Sequence, residues 1–81
     1  MWRKGKIEVE NRTIHYWIKS FDLGSPYGID EGRISKLMLK RDSQIIANFD
    51  RGWDIEPIDE NAKAALEVLM KKYNQQQEKN A

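Results

Sequence analysis

The residues best equipped to contact another molecule form a basic, aromatic set. The stretch 33–41 reads Arg-Ile-Ser-Lys-Leu-Met-Leu-Lys-Arg, with Arg33, Lys36, Lys40 and Arg41 positive and no acid among them. His15, Trp17 and Lys19 alternate just upstream. Lysines that meet phosphates, beside an indole that stacks on a base, are the ingredients of a single-strand nucleic-acid site. The plainer reading is that lysines keep a sheet soluble and guard its edges while Trp17 lies across the surface. Met38 and Ile46, expected on the same surface, add apolar character and point to a protein partner ahead of nucleic acid.

Arg51-Gly52-Trp53-Asp54 is the second cluster. A tryptophan at a strand exit closes the end of a core, or stacks a ligand ring with Arg51 as a charged fork. Tyr27, Arg33 and Trp53 together make a third option, a small-ligand site. Asp50, Asp54, Glu56, Asp59 and Glu60 oppose a lone Arg51 in 50–60. Their spacing lacks the alternating ligand run of a calcium loop, so helix capping and surface charge explain them, and no metal or cofactor is expected. The glycines at 24, 28 and 32 match neither phosphate-cradling pattern, and the serines sit in no nucleophile elbow. His15, the sole histidine, is expected across from Glu8 in a simple cross-strand pair. These features give a non-enzymatic protein with no catalytic residues.

Positioning these side chains falls to a small framework. The 81 residues carry a net charge of +1, are 33% charged and include no cysteine. This is enough for one domain with a thin core, burying about 60–65% of its unfolded surface, and it leaves a homodimer open as added support. No thiol chemistry or disulfide is available. No apolar run reaches membrane-spanning length, and the first residues form no apolar leader, so a cytoplasmic protein without membrane contact is expected.

Ile7 and Val9 alternate with Lys6, Glu8 and Glu10, the period of a half-buried strand over 5–10. A turn at Asn11-Arg12 leads into a second strand over 13–21, with Val9 opposite Ile14 and Glu8 opposite His15. Residues 22–32 form a loop, broken by three glycines and a proline. Strands follow over 33–41 and 44–50. A three-residue loop, Asp42 to Gln44, gathers Leu37, Leu39, Ile45, Ala47 and Phe49 on one side. Residues 51–58 read as a connector. Asp59 caps a helix in which Ala62, Ala65, Leu66, Leu69, Met70 and Tyr73 recur at helical spacing. The sum is an α+β fold in the order β-β-β-β-α: a four-stranded antiparallel meander with one C-terminal helix on one face. Residues 1–74 form the domain, and the polar tail 75–81 is expected to fray. The face away from the helix then shows His15, Trp17, Lys19, Lys36, Met38, Lys40, Ile46 and Asn48.

At Tyr27-Gly28-Ile29, Gly32-Arg33-Ile34-Ser35-Lys36-Leu37 and Phe49-Asp50-Arg51-Gly52-Trp53-Asp54-Ile55-Glu56-Pro57 the chain resembles a family of short uncharacterised proteins of phages and mobile elements in Gram-positive bacteria. The resemblance runs from about residue 3 to residue 74. It implies an accessory protein and assigns chemistry to no residue. By element order the chain is also similar to the single-strand-binding transcriptional coactivator fold, whose members dimerise and bind DNA on the sheet. Fold likeness alone carries no function.

The sequence thus leads to a small interaction protein that binds a protein partner, such as a host-defence protein, through the exposed sheet face or the 22–32 loop. The contact residues expected are Trp17, Lys19, Tyr27, Arg33, Lys36, Lys40, Arg51 and Trp53. Single-stranded nucleic acid is the alternative partner, and a small ligand the third.

Overall fold

The computed structural model describes residues 2–21, 29 and 32–73. Five strands run in chain order through one antiparallel sheet: β1 (Trp2–Val9), β2 (Arg12–Ser20), β3 (Ile34–Arg41), β4 (Gln44–Asp50) and β5 (Trp53–Ile55). One helix, α1 (Glu60–Tyr73), follows and covers one face. The class is α+β, but the expected four strands are five. Residues 53–55 of the supposed connector pair with β4, setting Trp53 opposite Phe49 and Ile55 opposite Asn48. The tail 75–81 and most of the 22–32 loop lie outside the described residues.

Two tight turns set the registers. Glu10 and Asn11 both take positive φ, as do Asp42 and Ser43. Such left-handed pairs match the natural twist of two-residue hairpins, and Asn and Asp tolerate them best. The first turn is therefore Glu10-Asn11, one residue earlier than expected. It moves the register by two, so Ile7 faces Ile14, Lys6 faces His15 and Glu8 faces Thr13. An even shift leaves every side chain on its expected face. The amide of Asn61 fixes this turn from the helix, donating to the Val9 carbonyl at 2.9 Å and to Glu10 Oε1 at 3.2 Å.

The second turn also has two residues, not three, with Arg41 opposite Gln44. Unrelieved, that would put Ile46 across from Leu39. A bulge absorbs the difference: Lys40 faces Ile45 while Leu39 faces Ala47, leaving Ile46 as the extra residue. The expected Leu39–Ala47 and Leu37–Phe49 pairs stand, but the faces of two isoleucines are exchanged. Ile46 is 0% exposed in the core, whereas Ile45 is 39% exposed beside Lys40.

The covered face buries Ile14, Tyr16, Ile18, Leu37, Leu39, Ile46, Ala47 and Phe49 against Ala62, Ala65, Leu69 and Tyr73. Ile29 and Ile34 close the same core. Leu66 and Met70 pack at its margin. Asp59 caps the helix as expected, its Oδ1 accepting the Ala62 amide at 2.9 Å. Arg41, at the end of β3, clasps the same carboxylate with both terminal nitrogens, at 2.9 and 3.3 Å, and gives Asn61 Oδ1 a further bond. The Arg41 hydrogen bond, then the Ala62 amide, hold the Asp59 carboxyl below its ordinary range.

Candidate functional site: the open face of the sheet

Residues paired across antiparallel strands share a face, so the registers spell out the uncovered one as a set of rungs. One rung runs Trp2, Lys19, Lys36, Asp50. The next runs Lys4, Trp17, Met38, Asn48, Ile55. The third runs Lys6, His15, Lys40, Ile45. An indole and a thioether thus fill the middle rung, with cationic rungs on either side.

Lys19 sits directly opposite Lys36, and His15 lies between Lys6 and Lys40. Cross-strand neighbours of like charge oppose folding. Asp50 relieves one of them, lying 3.7 Å from Lys36. Lys19 leans on rings, its Nζ 6.0 Å from the centre of Trp2 and 5.6 Å from that of Phe21. The expected Glu8–His15 pair is absent because of the register shift, so the third rung has no carboxylate in it.

Trp17 is half-buried and forms a wall of three shallow depressions. Trp2, Lys36, Met38, Asn48 and Asp50 complete one. Lys4, Lys6 and His15 complete the second, and Thr13, Lys40 and Ser43 border the third. The indole therefore stands at the centre of the surface with grooves leading from it on several sides. Trp2 is 57% exposed at one margin.

Of the expected contact residues, Trp17, Lys19, Lys36 and Lys40 gather here. Trp53 does not. It lies on the covered side, edge-on to Phe49 at 5.0 Å, and closes the end of the core. Arg51 is exposed in the β4–β5 turn, 3.8 Å from Asp50, with its backbone amide bonded to the Ser35 carbonyl. Arg33 precedes β3, its carbonyl accepting the Phe21 amide. Tyr27 lies outside the described residues. Ile46, expected here, belongs to the core. Trp2 and Lys4 were missed because the first strand was expected to begin at residue 5; Lys6 fell within that strand, on its polar side, but was not carried to the site. The alternation of Trp2, Lys4 and Lys6 with Arg3 and Gly5 was the available signal. Among the described residues no three His, Asp or Glu side chains gather to hold a metal. No described helix is long and apolar enough to cross a membrane.

Fold and surface together define a meander sheet with one face sealed by a helix and the other left basic and aromatic. The chain belongs to the family described as Domain of unknown function (DUF7678), whose model matches residues 1–74. No curated protein and no solved structure matches it.

Proposed function

We propose that this protein binds single-stranded nucleic acid on the open face of its sheet, as a non-enzymatic accessory protein of a phage or mobile element acting in the cytoplasm. The observation that carries the reading is the juxtaposition of Lys19 with Lys36, and of His15 with Lys6 and Lys40, around Trp17. Lysines gathered on one face are relieved by a polyanion, and an indole among them offers a stacking surface that accepts any base. Ile46, which had weighed toward a protein, lies in the core, while Lys4 and Lys6 add positive charge. The phage or mobile-element origin rests on the resemblance of the Tyr27, Gly32 and Phe49 motifs.

Tryptophan fluorescence during titration with a short oligothymidine tests the proposal. Three to five phosphate contacts predict a log–log salt slope of about −2 to −3.5, at roughly −0.7 per contact. Trp17→Ala should cost about 1–3 kcal/mol of binding if a base stacks there. Replacing Lys36 and Lys40 together by Ala should weaken binding and flatten the slope. No binding at low salt by a folded chain would defeat the reading.

A protein partner remains the second reading, favoured by one observation. Ile45 and Ile55 are exposed on the same face at 39% and 38%. A partner centred there would survive the double lysine replacement and show a shallow salt dependence.

A further inference from the structure

We propose that the outer edge of β1 pairs antiparallel with the same edge of a second copy of this chain, about a two-fold axis at Ile7. β1 ends the sheet, and among the described residues only β2 pairs with it. A two-residue hairpin closes on a hydrogen-bonded pair, here Val9 with Arg12. Alternation then commits the backbone of Arg3, Gly5, Ile7 and Val9 to β2. The N–H and C=O groups of Trp2, Lys4, Lys6 and Glu8 point to the free edge.

Lysines on an edge repel most incoming strands. They do not repel this chain's own copy, because the signs reverse at Ile7. Lys4 and Lys6 precede it, and Glu8 and Glu10 follow. Antiparallel pairing about Ile7 sets Lys6 opposite Glu8 of the second copy, twice by symmetry, and brings Lys4 toward Glu10. Neighbouring registers that also keep the apolar faces together are worse. Pairing about Lys6 sets that lysine against itself, pairing about Gly5 sets Lys4 against Lys6, and pairing about Glu8 opposes two carboxylates. Charge therefore selects one register.

The apolar side agrees with this choice. Ile7 and Val9 pack against the core yet are only half-buried in the single chain. In the selected register Ile7 meets its own copy, which adds to its cover, and Val9 stands opposite Gly5. The pairing is isologous, so it closes at two copies. It joins the sheets with both helices on one side and both open faces on the other. A nucleic-acid strand bound as proposed above would find a doubled platform, but the pairing itself needs no ligand.

Sedimentation equilibrium of the ligand-free chain should show a monomer–dimer equilibrium. Lys6→Glu and Glu8→Lys each place like charges opposite one another at both symmetric positions, and each should weaken the dimer about tenfold or more. The double variant exchanges the signs and should restore it to within about threefold. The chain has no cysteine, so Ile7→Cys adds a single thiol at the axis. Non-hydrogen-bonded antiparallel pairs hold their Cα atoms about 4.5 Å apart, within disulfide range. Mild oxidation should thus give a covalent dimer from Ile7→Cys and not from Lys4→Cys. This arm decides the matter should a charge variant fail to fold. A chain that stays monomeric at every concentration, a dimer indifferent to the single charge changes, or single variants that the double does not rescue would overturn the proposal. Since no oligonucleotide is present, failure of the nucleic-acid reading leaves these outcomes unaffected.

Discussion

The two faces of this sheet are built from the same strands and obey opposite rules. On the covered face, facing residues complement one another: Ile14, Leu39, Ala47, Ala65 and Leu69 are buried together in one apolar core. On the open face, neighbours conflict: Lys19 faces Lys36 across the strands, and Lys6 and Lys40 flank His15 with no carboxylate in their rung. A surface selected for stability alone would alternate its charges. The contrast separates what holds this molecule together from the surface on which the proposed binding rests.

The largest expected effect lies on the covered side. Leu69 is fully buried, so Leu69→Ala should cost about 2–4 kcal/mol of stability in urea melts, through lost transfer energy and the cavity left behind. The remaining folded protein should bind oligonucleotide as before. Reduced affinity per folded molecule would show that the two faces are coupled.

A smaller effect tests how far the covered face reaches into the edge strand. A Cβ on Gly5 would lie 2.8 Å from the Tyr16 hydroxyl and 3.0 Å from its ring. The Tyr16 ring fills the space a side chain would take. Gly5→Ala should therefore destabilise by about 1–2 kcal/mol, overpacking outweighing the gain from a stiffer unfolded chain. Equal or greater thermal stability would mean the ring can swing aside.

The smallest effect belongs to the rim where helix and sheet meet. Asp59 titrates below its ordinary value of 3.8, held there by Arg41 and the Ala62 amide. A carboxyl lowered by folding contributes stability that is complete above its unfolded pKa and is lost as pH falls through its folded one. Asp59→Asn keeps a capping oxygen and removes the charge. It should lower stability slightly at neutral pH and flatten the fall in acid, read as melting temperature against pH. An unchanged acid limb would put the titrating group elsewhere. The Asp59 side chain is 44% exposed, so salt should weaken the effect.

Much of the architecture was legible because periodicity survives small errors. The first turn was misplaced, yet a register error of two residues exchanges no faces. Asn61, which bonds the turn from the helix, lies 52 residues from Val9, where local pattern has no reach. In the second hairpin the same reasoning failed for Ile45 and Ile46, because strict alternation assumes a regular strand and the bulge breaks it. The run Ile45-Ile46-Ala47 was the available warning, since a strand buried on one face does not need three apolar residues in succession. β5 escaped notice because three residues between Gly52 and Pro57 show too little of any period. The central site residues Trp17, Lys36 and Lys40 were legible because β2 and β3 alternate regularly where they sit, the extra residue of the bulge lying on β4.

The meander also dictates the order in which this chain can assemble. Each strand lies beside its predecessor, so the β1–β2 and β3–β4 hairpins can zip through two-residue turns and only the β2–β3 closure is longer. Only the helix must travel back, carrying the Asn61 amide to the Val9 carbonyl across 52 residues. Closing so long a span costs more entropy than any hairpin turn. Until it closes, the apolar side of the sheet stands open to water and to other chains. The Arg41 clasp on Asp59 shortens that search, since it anchors the helix start to β3 only 18 residues away. Docking of α1 thus becomes the step that ends the chain's exposure to aggregation, with Arg41 as its latch.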